Sequence, residues 1–262
     1  MTDVLDASLL AALARLAEAQ PLLVALDFDG TLAPEVDDPE QARALPEARA
    51  AVLRLLDLPQ TRVALVSGRA LASLKRVADV PDTALLVGSH GIELRLDSPE
   101  TRLAFDPAEL QKRGELGRLL DEIAASVDRV WLESKPAGFA LHTRLATDAD
   151  GRRAHLVALQ RTEAELPGLT VRRGKNVLEF SVRSTTKGEA IEHLRRYTGA
   201  SAVFYAGDDV TDEDAFAALG AGDLGLKSGR GETVADYRVA DPAAVAAALH
   251  ELARLREAHP AA

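Results

Sequence analysis

Cysteine is missing from all 262 residues, which excludes a disulfide scaffold and thiolate zinc sites. Long apolar runs are missing too, and none approaches the roughly 18 residues that a membrane span needs. The N-terminus has no basic segment followed by an apolar stretch and a small-residue cleavage site, so secretion is not expected. Positive charge is in short supply: 31 Lys and Arg against 41 Asp and Glu leave a net charge of −10, with no basic block. A general nucleic-acid binder would carry the opposite balance. Low-complexity segments are also absent. What is present is ordinary for a globular protein, 47% hydrophobic and 27% charged, and long enough for one large core or two small ones. The expectation is a soluble, cytoplasmic protein that meets a small molecule rather than nucleic acid or membrane. Acidic residues at particular spacings must carry its function.

Four short apolar runs stand at 21–27, 62–68, 84–91 and 202–207. They do not alternate with polar residues, which is the pattern of strands buried on both faces of a parallel sheet. Amphipathic helix patterns separate them, at Ala48 to Leu56, Leu71 to Val77, Ile191 to Tyr197 and Val245 to Leu255. The alternation predicts an α/β fold with a doubly wound parallel sheet, whose ligands bind at the carboxyl ends of the strands. Polar clusters begin at those ends, at Asp27, Ser67 and Asp208. From about 107 to 183 the rhythm changes: a helix pattern and a hairpin turning at Pro136–Gly138, then a second helix pattern and a hairpin turning at Gly174–Asn176. This predicts an inserted α+β domain of two αββ halves at 107–183, within a core made of 1–106 and 184–262. Asp106-Pro107 and Ser184–Thr186 read as the connectors.

Asp27-Phe28-Asp29-Gly30-Thr31 follows the first strand, and two carboxylates two residues apart point to one side of an extended chain. Gly30 then lets the backbone turn. Ser67-Gly68-Arg69 follows the second strand and reads either as a phosphate-binding corner or as a helix N-cap. Lys187 opens the helix before the fourth strand, where a cation could offset phosphate charge, although a lone lysine is ordinarily a solvated surface group. Five of the seven residues from Asp208 to Asp214 are acidic, including Asp209 and Asp212. As a solvated face that run would repel itself; as a site for a hard dication it makes sense. It fails the EF-hand spacing, and Asp212 to Asp214 also suit the start of a helix.

These elements in this order resemble the haloacid dehalogenase-like phosphohydrolase superfamily, over nearly the whole chain. The strings DFDGTLAP, VSGR, GSHGIEL, GKNVLEF, KGEA and GDDVTDEDAF, with Glu133, Lys135, His142 and Arg144, narrow the resemblance to the trehalose-6-phosphate phosphatase family. One departure is Ser181-Val182, where the family often has an Arg-Pro pair. No synthase-like domain is evident, as in the stand-alone bacterial form. The resemblance implies a phosphomonoesterase of trehalose biosynthesis. Asp27 would be the nucleophile that forms an aspartyl-phosphate, and Asp29 the general acid and then base, starting protonated. Ser67 and Lys187 would hold the transferring oxygens. Mg2+ would bind Asp27, Asp208 and the Asp29 carbonyl, with waters held by Asp209 or Asp212; manganese and cobalt remain alternatives. Phe28, Gly68, Arg69 and His90 join the substrate-binding set, although His90 reads equally as a residue that holds its loop. Glu133, Lys135, His142, Arg144, Lys175 and Glu179 on the two hairpins would read the sugar, or else form cross-strand pairs. Other sugar phosphates (sucrose-phosphate, glucosyl-phosphoglycerate, hexose phosphates), a phosphomutase and a non-catalytic sensor are the rival readings.

Overall fold

The structure is a computed structural model and describes residues 5–36, 38–97, 101–102, 106–183 and 185–258, with backbone alone at 101–102. Ser184, in the second expected connector, lies outside the described residues. The chain divides into two compact units, Met1–Arg102 with Thr185–Ala262, and Leu103–Ser184.

The first unit begins with helix α1 (Ala7–Ala17), where the Asp6 carboxylate accepts from the Leu9 amide at 2.7 Å. Then come β1 (Leu22–Leu26), α2 (Pro46–Leu56), β2 (Thr61–Val66), α3 (Leu71–Ala78), β3 (Leu85–Gly88), β4 (Glu93–Arg95) and β5 (Thr101–Arg102). All five residues of β1 are buried, the outcome expected of a run with no polar alternation.

The second unit repeats one motif. Helix α4 (Pro107–Ala125) leads to strands β6 (Trp131–Lys135) and β7 (Gly138–His142); helix α5 (Asp148–Glu165) leads to β8 (Thr170–Gly174) and β9 (Val177–Ser181). The four strands form an antiparallel sheet in the order β6-β7-β9-β8. Period-2 alternation sends Leu141, Leu178 and Phe180 to one face, where they meet Leu116, Leu119, Leu120 and Ile123 of α4 and Ala154 and Ala158 of α5. This is the α+β arrangement of two αββ halves that the sequence predicts. Asp106 and Glu109 form a reciprocal capping box at the start of α4.

The first unit resumes with α6 (Lys187–Thr198), β10 (Ala202–Gly207), α7 (Glu213–Ala217), β11 (Leu224–Ser228), β12 (Tyr237–Val239) and α8 (Pro242–Ala258). Among the described residues its sheet runs β12-β11-β10-β1-β2-β3-β4-β5, parallel from β12 to β3 and antiparallel beyond. Leu22, Val24 and Leu26 face a core filled by Leu9 and Leu13 of α1, Val52 and Leu55 of α2, and Leu249 and Leu252 of α8. The opposite face takes α6, which lies against β1 and β2, and α7, whose Phe216 ring meets Tyr205 edge-on at 5.4 Å. The sheet is therefore doubly wound. Burying each of these leucines contributes about 1.5–3 kcal/mol. After β1 the chain runs to β2 and β3 on one side and returns to β10 and β11 on the other, so the strand order switches between β1 and β10. A crevice at the carboxyl ends of those two strands is the expected ligand position in such a sheet. No helix among the described residues is long and apolar enough to cross a membrane.

Candidate active site

Asp27 leaves the end of β1 with its amide still bonded to the Ala206 carbonyl at 2.9 Å, so the adjacent strand fixes its backbone. Its carboxylate is buried and accepts from Lys187 Nζ at 2.7 Å. Lys187 begins α6, whose start is fixed by a capping box between Thr186 and Glu189. The same Nζ donates to Asp212 Oδ1 at 2.6 Å. Asp212 also accepts from the Tyr205 hydroxyl at 2.5 Å and from the amides of Asp208 and Asp209 at 3.0 and 2.9 Å. Four donors meet its two oxygens, which is the full capacity of a carboxylate. Asp212 is thus the organiser of this corner. Gly207 is what lets it in, because a Cβ there would lie 2.3 Å from the Asp212 Cγ.

Carboxylate oxygens of Asp27, Asp208 and Asp212 all lie within 4.8 Å of one another. Burial pushes the Asp27 carboxyl well above its ordinary range, Lys187 opposes this, and Asp212 and Asp208 push it further up. Asp208 is pushed up to about 6, by burial first and then by Asp212. Burial alone would pull the Lys187 ammonium down, but Asp27 and Asp212 outweigh it and hold it above its ordinary value. Three crowded carboxylates with one ammonium between them are short of positive charge. An all-oxygen corner of this kind suits a hard divalent cation, which Asp27 and Asp208 could hold while Asp212, its oxygens already taken, adds charge behind them. Gly30, at φ +73°, makes the approach of Asp208 possible: a Cβ there would lie 1.9 Å from Asp208 Oδ2. The Asp29 side chain and the exposed Asp209 are not part of this oxygen group.

Asp29 differs from expectation in its surroundings. Both its oxygens accept from Arg69, from Nε and Nη2 at 2.6 Å each, so the guanidinium engages both at once. Such a bidentate pair fixes geometry as well as charge. Arg69 also lies over the buried Phe28 ring, 5.8 Å from its centroid. The N-cap reading of Ser67 is corrected. Helix α3 starts at Leu71 after Ala70, and Ser67, three residues earlier, instead accepts from the Arg69 amide at 3.1 Å. The open amide of Leu71 is met by Glu93, a buried acid the sequence reading missed, at 2.9 Å. Glu93 also accepts from Ser89 Oγ at 2.9 Å, while the Ser89 and His90 amides donate to the carbonyls of Arg69 and Ser67. Ser89 and His90 both have positive φ, 51° and 56°, and the His90 ring would touch a Cβ on Gly68 at 2.7 Å. The two loops form one frame, in which the His90 amide and ring both take part.

In the second unit, the sheet face turned away from α4 and α5 carries Glu133, Lys135, His142 and Glu179 together. Glu133 sits beside Ala140 and Ala140 beside Glu179 in the strand register. Glu133 accepts from Lys135 at 2.7 Å and pairs with His142 at 2.8 Å, so three of the expected sugar readers are paired with each other. Burial raises the Glu133 carboxyl, but Lys135 and His142 outweigh it and the net shift is downward. Trp131, stacked on His142 at 4.8 Å, and Arg172, directly opposite Glu179, share this face and were missed. The alternation of β6 and β8 carried that information, once the register was known. Two expected readers lie elsewhere. Lys175 is in the β8–β9 turn, and Arg144 lies past the end of β7, lining a small polar cavity with Thr143, Arg152, His155 and Asn176. Lys227 and Ser228, at the end of β11, were also missed; a polar pair closing a buried strand was the available signal.

A family model described as Trehalose-phosphatase matches residues 25–242, most of the chain and every candidate site residue. The chain belongs to the trehalose-phosphatase family. It is similar to the trehalose-phosphate phosphatase of Mycobacterium avium (strain 104), 38% identical over 76% of this chain and 51% of that protein. It is also similar to the trehalose-6-phosphate phosphatase of Escherichia coli (strain K12), 33% identical over 82% of this chain and 80% of that one. The chain spans 51% to 59% of the length of the mycobacterial trehalose-phosphate phosphatases it matches. Among solved structures it resembles Aspergillus fumigatus trehalose-6-phosphate phosphatase, with TM-score 0.71, 25% identity, and coverage of 97% of this chain and 99% of that chain. A haloacid dehalogenase-like hydrolase from Bacteroides thetaiotaomicron shares the fold, with TM-score 0.66 at 16% identity, covering 89% of this chain and 100% of the other.

Proposed function

We propose that this chain is a magnesium-dependent phosphomonoesterase that hydrolyses trehalose 6-phosphate to trehalose and phosphate through an aspartyl-phosphate on Asp27. The observation that carries the reading is the buried Asp27, held at the strand-switch crevice by Lys187 and flanked by Asp208. A carboxylate fixed this way, with a cation beside it, is a usable nucleophile, whereas a structural ion pair has no need of a third acid. An oxygen of Asp27 forms a bond to phosphorus as the bond from phosphorus to the sugar oxygen breaks. Asp29 gives the departing oxygen its proton, and in the second step takes a proton from the water that attacks the phosphoenzyme. Asp29 can do this only after Arg69 releases one of its oxygens and that oxygen takes up a proton from solvent, which also frees the guanidinium to meet the phosphoryl group. Ser67 and Lys187 hold the transferring oxygens. Asp27, Asp208 and the Asp29 carbonyl would hold Mg2+, which when bound would supply Lewis-acid neutralisation of the phosphoryl charge. Asp212 serves this site by fixing Lys187 and the 208–209 amides.

In this reading 1–106 with 184–262 is the catalytic core, and 107–183 is the domain that selects the sugar. Trehalose 6-phosphate is favoured over other sugar phosphates by the family and by the polar sheet face carrying Glu133, Lys135, His142 and Glu179. The test is steady-state phosphate release from trehalose 6-phosphate, glucose 6-phosphate and sucrose 6-phosphate side by side, with and without chelator. Clear preference for the first, abolished by chelation and restored by magnesium, is expected. Equal rates on all three would remove the substrate assignment, and full activity in excess chelator would remove the metal.

A further inference from the structure

Lys227 is a second buried lysine beside the acidic cluster, and the proposed reaction gives it no task. It is the fourth residue of β11, next to Gly207 in the parallel register, and 3% of its side chain is exposed. Its Nζ donates to the Asp209 carbonyl at 3.2 Å and to Glu213 Oε1 at 3.1 Å. The other Glu213 oxygen accepts from the Val234 amide at 2.9 Å. One ion pair therefore ties together the end of β11, the 208–212 loop, the start of α7 and the loop before β12. The next residue braces the facing wall, where Ser228 Oγ donates to the Gly30 carbonyl at 2.9 Å.

We propose that Lys227, acting through Glu213 and the Asp209 carbonyl, is a positioning residue that holds the 208–212 loop so that Asp208 can bind the divalent cation. The inference rests on the reading of Asp27 and Asp208 as cation ligands, and not on which sugar is cleaved. The aim of a carboxylate follows its backbone. Asp212 grips this backbone from the amide side at 208 and 209, and Lys227 grips it from the carbonyl side at 209. Partners outside the ligand set commonly change metal affinity by about 10–100-fold. Coulomb's law alone predicts the reverse sign, because deleting a positive charge nearby should tighten a dication. The direction of the change thus separates positioning from simple charge.

The experiment is calorimetric titration of the metal-free full chain with MgCl2, in the absence of any substrate. Lys227→Met is expected to weaken binding about tenfold, whereas Lys227→Arg, which keeps charge and donors, should stay within about threefold of the parent. Lys227→Gln, which also removes the charge and so keeps the opposite Coulombic sign, is likewise expected to weaken binding several-fold and stands in if the Met variant does not fold. Unchanged or tighter binding in folded Lys227→Met overturns the proposal. So does equal weakening in the Arg and Met variants accompanied by a lower melting temperature of the metal-free chain, the sign of a merely structural role. A parent chain that binds no magnesium removes the ligand reading and this inference together. Preference for another sugar phosphate removes only the substrate and leaves the titration standing.

Discussion

The crevice around Asp27 and the outer face of the second unit's sheet use the same residue types, carboxylates with a lysine between them, under opposite conditions. Asp27, Lys187 and Asp212 are buried, and Lys187 bridges the two carboxylates while the Tyr205 hydroxyl fixes Asp212. Glu133 and Lys135 are 46% and 36% exposed, and their pair competes with water. A buried ion pair cannot exchange partners without a large penalty, but a half-exposed pair can be traded for ligand hydroxyls at little cost. The first arrangement suits invariant chemistry. The second suits recognition that forms and dissolves with each substrate.

The largest expected effect is chemical. Asp27→Asn removes the proposed nucleophile while leaving an amide of the same shape, and turnover should fall by several powers of ten for every phosphate ester. Phosphate release from both trehalose 6-phosphate and an aryl phosphate checks it; survival of even about one per cent of the rate would end the covalent role of Asp27. Next comes stability. Lys187→Met leaves two buried carboxylates facing each other, and breaking such a buried array costs about 3–5 kcal/mol. Urea unfolding in chelator measures the loss, and a change below about 1 kcal/mol would mean that the crevice is no drier than the outer sheet face.

The sequence disclosed the crevice better than the sheet face, for a physical reason. β1, β2, β3 and β10 are apolar without alternation, and the first polar residue after such a run marks the strand end; Asp27, Ser67 and Asp208 stand out that way. β4, β5 and β12 are two or three residues long and carry no periodic signal. β11 ends in Lys227-Ser228, which disguises a buried strand. The Arg69–Asp29 pair joins residues 40 apart, and nothing local in either announces the other. On the second unit's sheet, Glu133, Lys135 and His142 were legible as residues but not as one paired group, because that depends on the β6–β7 register.

Glu179→Ala probes the recognition side. If Glu179 bonds the sugar, losing one or two charged hydrogen bonds at about 1.5–3 kcal/mol each lowers kcat/KM for trehalose 6-phosphate tenfold to several-hundredfold. An aryl phosphate offers no hydroxyls to that face and should change far less. Equal slowing of both would make Glu179 structural, and the contrast between the two regions would lose its functional meaning.

A smaller effect tests the charge deficit of the crevice. The Asp208 carboxyl is pushed from 3.8 up to about 6. Below about 3.8 it is protonated in both folded and unfolded chains, and its contribution to stability is fully present. As pH rises through 6 the folded chain is forced to ionise it, and that contribution is lost. Metal-free protein should therefore lose stability relative to Asp208→Asn between about pH 4 and 7. The difference is about 1–2 kcal/mol, since the carboxyl is partly open to solvent. Denaturant midpoints across that range measure it. Added magnesium should erase the trend, and a pH-independent difference would show the crevice carboxylates to be as relaxed as those on the outer face.

The smallest expected effect is the most direct test of the contrast. Glu133 and Lys135 stand two apart on β6, so they share a face, and they form an ion pair at 2.7 Å. Their exposure lets water and salt replace it, and side-chain entropy opposes holding both chains in one geometry. A double-mutant cycle with Glu133→Gln and Lys135→Met should give a coupling of about 0.2–1 kcal/mol in low salt, falling further at 1 M NaCl where screening acts over about 3 Å. The same cycle read as kcat/KM for trehalose 6-phosphate should show larger single effects than the unfolding data, because each group then has a ligand to lose as well as a partner. A stability coupling above about 2 kcal/mol would mean that the pair is held as rigidly as the crevice charges. In that case the outer face would be scaffold, and sugar recognition would have to move to Arg144, Lys175 and the turns.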